Sequence, residues 1–293
     1  MTEIVLAGGM RTPFGDYGKS LKDVPMVDLG VHAASACLEK AGIGADKMDH
    51  LVWGNVLPVD HDGYFASRAI ALKVGMAEHS AALNVSRACG SGTQAILTAA
   101  QQIMSGHSSI AIAGGGENFS RGSYAQTGMR WGVTRGQQTL EDTVEWAYSD
   151  PFGHGLMGAT AENLAEDFQY RREDMDAWGV MSQQRAGAAI ESGFLARQIA
   201  PIEVPEGRKG TRLMEMDEFP RPSVTVDKLG TLKPVFRKGG QVTPGNSSGV
   251  TDGAAWVVVG DRAKLEAEGV TPRARLVDWA IVGVPPRIMG CGP

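Results

Sequence analysis

The residue best placed for covalent chemistry is Cys89, which lies between an apolar stretch and the start of a helical pattern. Residues 81–85 are predicted to form a buried strand and residues 92–104 an amphipathic helix, because apolar side chains recur there at helical spacing. At the start of a helix, unpaired N–H groups and the positive dipole end favour a thiolate and can hold an oxyanion. Cys89 is therefore interpreted either as a nucleophile or as a small buried apolar residue, which is the usual role of a lone cysteine.

Two glycines and two further cysteines bear on this interpretation. Gly90 and Gly92 would let a substrate closely approach the backbone next to Cys89. Cys37 falls within the apolar pattern of a helix and is predicted to be a core residue, whereas nothing marks Cys291 as reactive. The three cysteines lie far apart and lack CxxC or His/Cys ligand spacing, so the sequence predicts neither a disulfide framework nor a metal site.

Composition and charge narrow the possible partners. Of the 293 residues, 43% are hydrophobic and 21% are charged, which is typical of a globular protein with a sizeable core. The formal net charge of −5 argues against a general attraction to nucleic acid. No apolar run reaches about 18 residues, and the first residues lack the basic and apolar segments of a signal peptide. We therefore expect a cytoplasmic protein with a small-molecule partner and no nucleic-acid or membrane partner.

The hydrophobic pattern predicts an α/β fold in which strands and helices alternate. The predicted strands cover residues 4–7, 50–56, 81–85, 109–113, 254–260 and 274–284. The predicted helices cover residues 26–42, 64–74, 92–104, 160–168, 172–192 and 262–268. Between residues 119 and 243 the alternation stops, which indicates a long inserted segment. The clusters Gly8-Gly9 and Gly114–Gly116 are predicted to form turns, and Glu117 is predicted to be structural because its segment lacks the spacing of a phosphate-binding loop.

Seven segments, in order along the chain, carry a family resemblance. They are residues 11–15, 54–56, 84–96, 114–120, 157–163, 182–186 and 245–255, and the third contains the Cys-Gly-Ser-Gly sequence that begins at Cys89. Together they resemble the thiolase family of acetyl-CoA acetyltransferases and 3-ketoacyl-CoA thiolases. The resemblance implies a reversible Claisen condensation or thiolysis of acetyl-CoA and 3-ketoacyl-CoA. It implies that the substrate acylates Cys89, whose own N–H group helps to stabilise the tetrahedral intermediate.

The resemblance also implies partners, a fold and a division into domains. Acyl-CoA thioesters are the implied partners, with coenzyme A as substrate or product and no permanently bound cofactor. The implied fold is a mixed five-stranded sheet covered by helices, in the order βαβαβαββ, with an inserted α-rich loop domain. Residues 1–118 and 244–271 are assigned to the N-terminal half-domain, residues 119–243 to a loop domain that binds coenzyme A, and residues 272–293 to the start of a truncated C-terminal half-domain. Family members are usually dimers or tetramers, so we expect a homo-oligomer.

Four residues are similar to family positions that contact coenzyme A. Met157 would line the pantetheine slot, and Ser248 would hydrogen-bond to the pantetheine arm. Arg221 and Phe236 would lie near the nucleotide end, where a guanidinium group can stack on adenine or bind phosphate. For each of the four residues, a surface or packing role is the alternative.

The sequence departs from the family pattern at single positions and in whole motifs. Leu156 stands where many members have a histidine. Ser86 stands where many have an asparagine, and this second departure puts the substrate range in doubt. The family's Asn-Glu, Gly-His-Pro and Cys-Gly-Gly motifs do not occur in these residues. In the family they bind a water molecule, activate the nucleophile and move the α-proton.

Two hypotheses follow from these absences. In the first, the chain is a fragment of a thiolase whose complete form catalyses the condensation. In the second, the catalytically incomplete chain is a coenzyme-A-binding or oligomerisation partner of a full-length thiolase. A decarboxylating ketoacyl synthase, which also has a cysteine at a helix start, is a weaker alternative because residues 245–255 resemble thiolases better. Whether this chain by itself is an enzyme is left open.

Overall fold

The structure is a computed structural model that describes residues 2–293, except for the side chain of Lys209. The strands are β1 (Ile4–Arg11), β2 (Gly15–Asp16), β3 (His50–Gly54), β4 (Ala81–Val85), β5 (Ile110–Glu117), β6 (Tyr124–Ala125), β7 (Glu141–Asp142), β8 (Ser149–Asp150), β9 (Gly155–Leu156), β10 (Ile202–Pro205), β11 (Thr211–Met214), β12 (Thr251–Asp261) and β13 (Ala274–Arg275). The α-helices are α1 (Met26–Ala41), α2 (Ala66–Lys73), α3 (Ser91–Met104), α4 (Thr143–Tyr148), α5 (Met157–Asp167), α6 (Arg172–Glu191), α7 (Val226–Gly230) and α8 (Arg262–Ala267).

The chain forms two compact units, and the first contains the main sheet. This unit consists of residues 2–122, 196–218 and 251–278. Its seven-stranded sheet has the order β13-β1-β12-β5-β3-β4, with β2 attached to β12. Strand β12 runs antiparallel to β1 and β5, whereas β3 runs parallel to β5 and β4. The long strands β1, β3, β4, β5 and β12 and the helices between them have the predicted order βαβαβαββ, so the mixed five-stranded sheet is confirmed and two strands of 2 residues each extend it.

Helices cover both faces of this sheet. On one face, α1 and α2 pack on a core that includes the buried indoles of Trp53 and Trp256, whose ring centroids lie 5.1 Å apart. Trp256 Nε1 donates a hydrogen bond to the carbonyl oxygen of Gly30 in α1 at 2.9 Å, which satisfies the polar atom of that indole. On the other face, α3 packs through small residues such as Ala95 and Ala99, which let the helix lie close to the strands. The sheet is therefore a rigid support for the loops at its ends.

The parallel strands β3, β4 and β5 end at the same edge of the sheet. Ligand sites in α/β sheets form outside the carboxyl ends of such strands, because the loops that follow the strands meet there. Here β3 is followed by the loop that begins at Asn55, β4 is followed by residues 86–90, and β5 ends at Glu117. This edge therefore brings Cys89 close to residues that are distant in sequence.

Both glycine clusters that were predicted to form turns lie inside strands, so that prediction is wrong. Gly8 and Gly9 form a bulge in β1, where φ is +67° and +93° and the register with β12 shifts. The second cluster, Gly114–Gly116, continues β5. A Cβ on Gly115 would lie 2.4 Å from the carbonyl oxygen of Gly54 on the neighbouring strand. In β5, glycine is required by the close approach of neighbouring backbones and not by a turn.

The predicted strand over residues 274–284 is wrong for most of its length. Only Ala274–Arg275 (β13) pairs with β1. Residues 276–285 have no regular structure, and Val277 and Val282 are 77% and 63% exposed. An apolar run forms a strand only where a neighbour completes its hydrogen-bond ladder, and within residues 2–293 no strand pairs with the chain beyond β13.

The second unit consists of residues 123–195, 219–250 and 279–293. It contains α4 to α7 and two small sheets, β6 with β7 and β8 with β9. Residues 196–218, which the sequence assigns to the loop domain, pack within the first unit and include the antiparallel pair β10 and β11. The functional assignment of the domains stays a prediction. None of the helices in the described residues is long and apolar enough to cross a membrane.

Candidate active site

Cys89 lies in the turn between β4 and α3, and its side chain is exposed, which contradicts the alternative interpretation of Cys89 as a buried core residue. The turn is closed by two backbone hydrogen bonds of 3.0 Å, from the N–H of Gly90 to the carbonyl oxygen of Arg87 and from the N–H of Ser91 to that of Ala88. No side chain caps α3, which begins at Ser91. Cys89 therefore lies two residues before the uncapped start of α3, and the N-terminal end of a helix is a position that attracts anionic groups.

Ser91 fixes this turn through its side chain, which makes it a site residue that the sequence interpretation missed. The residue is only 4% exposed. Its Oγ accepts a hydrogen bond from the N–H of Arg87 at 2.8 Å and donates one to the carbonyl oxygen of Ala88 at 2.7 Å. The hydroxyl group therefore joins the two ends of the turn around Cys89. The signal in the sequence is a small hydroxyl residue at a helix start, a position that favours bonds from the side chain to the local backbone.

Ala88, the residue directly before Cys89, has a left-handed backbone with a φ of +45°. This conformation costs a residue with a Cβ about 1–2 kcal/mol. Such backbone strain persists only where the surrounding structure imposes it, and it clusters at functional sites. At Ala88 the left-handed backbone is held by the hydrogen bonds of Ser91 and by the contacts of Gly54 and Asn55 with the two ends of the turn.

The loop after β3 supports both ends of the turn that carries Cys89. The N–H of Asn55 donates a hydrogen bond at 3.1 Å to the carbonyl oxygen of Val85, the last residue of β4. A Cβ on Gly54 would lie 2.4 Å from the carbonyl oxygen of Ser91, so the backbone at Gly54 packs directly against the start of α3. Only glycine permits so close an approach.

Glu117 in turn holds the loop after β3. Its carboxyl group accepts hydrogen bonds from Asn55 Nδ2 at 2.9 Å, from the N–H of Leu57 at 3.3 Å and from the N–H of Val56. Burial raises the pKa of Glu117 to about 7, although the N–H groups of Val56 and Leu57 act in the opposite direction. These contacts agree with the predicted structural role of Glu117 and connect it to the loop behind the turn of Cys89.

In the second unit, the ring of Phe236 packs against Gly158, the residue that follows Met157. Met157 is the first residue of α5, and a Cβ on the following residue, Gly158, would lie 2.2 Å from the ring of Phe236. The ring therefore packs on the first turn of α5. The chain after Phe236 is bound to the same helix, because Glu162 accepts the N–H groups of residues 241 and 242, each at 2.8 Å.

Arg221 and Ser248 form the other pair of predicted ligand residues in this unit, and both are exposed. The N–H of Arg221 donates to Gln183 Oε1 at 2.6 Å, and its guanidinium group donates to the carbonyl oxygen of Phe219 at 2.8 Å. A Cβ on Gly249, the residue after Ser248, would lie 2.4 Å from the ring of Phe219. Phe219 thus links the two loops, and the four predicted coenzyme A residues are grouped as two pairs.

The other two cysteines have different surroundings. Cys37 is buried in α1, where its Sγ accepts the N–H of Gly9 at 3.5 Å and donates to the carbonyl oxygen of Trp256 at 3.3 Å. Burial raises the pKa of this thiol, and the predicted core role of Cys37 is confirmed. Cys291 is exposed at the end of a short 3₁₀ helix. Across the described part of the chain, no group of three or more His, Cys, Asp or Glu side chains could hold a metal ion.

Comparison with known proteins identifies the family of this site and fold. The family profile described as "Thiolase, N-terminal domain" matches residues 4–263. The chain belongs to the thiolase family. It is 41% identical to beta-ketothiolase BktB of Cupriavidus necator, over 99% of this chain and 74% of that thiolase.

Solved thiolase structures have the same fold as this chain. The human mitochondrial 3-ketoacyl-CoA thiolase superposes with a TM-score of 0.96 at 37% identity, which covers 100% of this chain and 74% of the human one. The human thiolase in complex with CoA superposes with a TM-score of 0.95 at 36% identity, over 100% of this chain and 73% of that chain. The predicted thiolase resemblance and the predicted α/β thiolase-like fold are therefore confirmed.

Proposed function

We propose that this thiolase-family chain carries the nucleophile of an acyl-CoA acyltransferase and that Cys89 is the residue acylated. The observation that carries the proposal is an exposed thiol beside the uncapped start of α3, in a turn with a left-handed Ala88. A nucleophile needs access to substrate, an environment that favours its anion, and a fixed orientation. Cys89 is exposed, which gives access to substrate. The nearby helix start supplies the favourable environment, and the hydrogen bonds of Ser91 fix the orientation of the turn.

In the proposed step, Cys89 Sγ attacks the carbonyl carbon of an acyl-CoA thioester. A bond forms between Sγ and the acyl carbon, and the bond from that carbon to the sulfur of coenzyme A breaks. The thiol proton of Cys89 goes to solvent, and the leaving coenzyme A thiolate takes up a proton from solvent. The backbone N–H of Cys89 helps to stabilise the oxyanion of the tetrahedral intermediate. In a complete thiolase reaction, an acetyl-CoA enolate then attacks the acyl-enzyme, and thiolysis is the reverse.

The two residue pairs of the second unit are the proposed contacts to coenzyme A, which acts as substrate or product. Met157 and Phe236 offer a thioether and a ring at the start of α5, suited to the apolar parts of the pantetheine arm. Arg221 offers a guanidinium group for phosphate or adenine, and Ser248 offers an exposed hydroxyl group for the amides of the arm. The solved complex of the human relative with CoA supports this class of ligand.

Intact-mass spectrometry after incubation with acetyl-CoA or acetoacetyl-CoA tests the acylation of Cys89. We expect the wild-type chain to gain the mass of one acyl group and to release an equal amount of coenzyme A. Cys89→Ala should gain none. Cys291→Ser is the matched control, because it removes the other exposed thiol and should leave the adduct unchanged. A wild-type chain without an adduct, or an adduct that persists in Cys89→Ala, would refute the proposal.

A homo-oligomer is part of the same proposal. Strand β4 ends the sheet, and no strand in residues 2–293 pairs with its outer edge, where Leu83 is 39% exposed. A second copy of the chain could pair with this uncharged edge. Sedimentation velocity should give a mass of at least two chains of 31.0 kDa, and Leu83→Lys should shift the protein towards one chain. Leu213→Lys, the same change at another exposed leucine, should have no effect. A wild-type monomer would exclude the oligomer.

No specific observation in the structure or the comparisons favours the hypothesis of a non-catalytic partner of a full-length thiolase. The cytoplasmic location stays a prediction, since the relatives include bacterial thiolases and a thiolase named as mitochondrial.

A further inference from the structure

The carboxyl group of Glu117 connects directly to the loop behind Cys89. It is the last residue of β5, and its carboxyl oxygens accept hydrogen bonds from the side chain of Asn55 and from the N–H groups of Val56 and Leu57. Three donors from consecutive residues thus converge on one side chain. Removal of this carboxyl group would leave the three donors without their acceptor, so the position of the loop depends on Glu117.

Asn55 connects the loop to the first end of the turn, at Val85. The same residue whose Nδ2 donates to Glu117 donates its backbone N–H to the carbonyl oxygen of Val85 at 3.1 Å. Val85 ends β4 and is paired in parallel register with Gly54. Asn55 Nδ2 also lies 3.0 Å from the carbonyl oxygen of Gly116, which further fixes its side chain to β5.

Gly54 contacts the second end of the turn, at Ser91 and Gly92. The space that a Cβ of Gly54 would occupy is closed by the carbonyl oxygen of Ser91 at 2.4 Å and by the backbone nitrogen of Gly92 at 2.9 Å. These atoms belong to the start of α3, and Ser91 is bonded back to Arg87 and to Ala88. A shift of the loop therefore moves the helix start and the turn together.

We propose that Glu117 is a positioning residue for Cys89: its carboxyl group fixes the loop at residues 55–57, and this loop fixes both ends of the turn that carries the thiol. The inference rests on the proposed function of Cys89 as the acylated nucleophile. It assigns Glu117 no contact with substrate. Since a displacement of about 1 Å in a reacting group can lower a rate by about 100-fold, loss of this carboxyl group should slow acylation by roughly 10-fold or more.

The test compares three variants of the full chain for two rates, acylation of Cys89 by acetyl-CoA and alkylation of Cys89 by iodoacetamide, each followed by mass spectrometry of the Cys89 peptide. Glu117→Ala removes all three acceptor contacts and should slow both rates. Glu117→Gln keeps one acceptor oxygen at the same reach and should restore an intermediate rate. Where Glu117→Ala does not fold, Glu117→Asp replaces it, because it keeps the charge and withdraws the oxygens by one methylene group.

Asn118→Ala is the matched control for a general loss of stability. Asn118 is fully buried next to Glu117, but it donates to the carbonyl oxygens of Leu21 at 3.0 Å and Val24 at 2.8 Å, which are remote in the chain from the turn of Cys89. This variant should lose stability and keep both rates. Equal rates in wild type and Glu117→Ala, or an equal slowing in Asn118→Ala, would overturn the inference.

The two rates separate this inference from the proposed function. If acetyl-CoA does not acylate the wild-type chain, the proposed function fails, and the alkylation rates of Cys89 still decide whether Glu117 positions the thiol. If the wild-type chain is acylated and Glu117→Ala matches it in both rates, the proposed function stands and the positioning role fails.

Discussion

The partly buried carboxyl group of Glu117 should make the stability of this protein fall as the pH rises from acid to neutral. Burial raises the pKa of Glu117 from 4.5 to about 7 in the folded protein. In the unfolded chain the side chain is in water and titrates near its ordinary value, about 4.3 to 4.5. Between these pH values the unfolded chain releases a proton that the folded protein keeps. The contribution to stability is therefore complete below about pH 4.5 and is lost as the pH approaches and passes about 7.

The magnitude follows from the same two pKa values. The difference between 4.5 and about 7, at about 1.4 kcal/mol for each pKa unit, corresponds to about 3.5 kcal/mol in the free energy of unfolding. Water penetration and relaxation around the ionised carboxylate reduce this, so we expect about 2–3 kcal/mol. The hydrogen bonds from Val56 and Leu57 favour the ionised form, and the shift remains upward because the effect of burial is larger.

Urea unfolding at a series of pH values, followed by tryptophan fluorescence, measures this effect. Trp53 and Trp256 lie in the same core and report its unfolding. Glu117→Gln does not titrate, so subtracting its unfolding free energy from that of the wild type removes the contributions of the groups they share. The difference should fall by about 2–3 kcal/mol between about pH 4.5 and pH 8 and should be flat above that. A difference that is constant over this range would refute the reasoning.

Three further substitutions test the packing around the site. Gly54→Ala places a Cβ 2.4 Å from the carbonyl oxygen of Ser91, so it should lower the free energy of unfolding in urea by about 1–3 kcal/mol and slow alkylation of Cys89. In the control Gly92→Ala the new Cβ meets nothing within 4 Å, so this variant should not lose stability. Equal losses of stability in the two variants would contradict the packing argument. Ala88→Gly removes the strain of a left-handed residue, so the melting temperature should rise with a gain of about 0.5–1 kcal/mol; a loss of stability would mean that no strain is stored there. Gly158→Ala displaces the ring that packs 2.2 Å from the new Cβ, so thermal unfolding should show a loss of about 1–3 kcal/mol, and an unchanged melting temperature would argue against that packing.

The alternation of strands and helices could be read from the sequence because it depends on local periodicity. The pattern around residues 81–104 places Cys89 between a strand and a helix, and the structure has β4 and α3 there. The predicted burial of that strand is wrong, because three of the five residues of β4 are exposed. The family could also be read, since seven ordered segments of the sequence match it and the thiolase profile covers residues 4–263. Both inferences use residues that lie close together in the chain.

The errors in the sequence interpretation concern glycine and strand ends. A glycine cluster indicates a turn when only the local chain is considered, yet Gly114–Gly116 lies inside β5 because two neighbouring strands approach its backbone too closely for a Cβ. The apolar residues after β13 have the composition of a strand and remain irregular, because pairing depends on a neighbouring strand rather than on the segment itself.

By itself, the sequence determined the fold class, the family and the candidate nucleophile, because periodicity and short motifs are properties of neighbouring residues. Only the tertiary structure decided what holds Cys89 in place. Glu117 and Asn55 are 62 residues apart in the chain and meet because the parallel strands β3 and β5 end together at one edge of the sheet. The register of those strands is set by burial of the whole core, so no local pattern could place Glu117 behind the turn of Cys89.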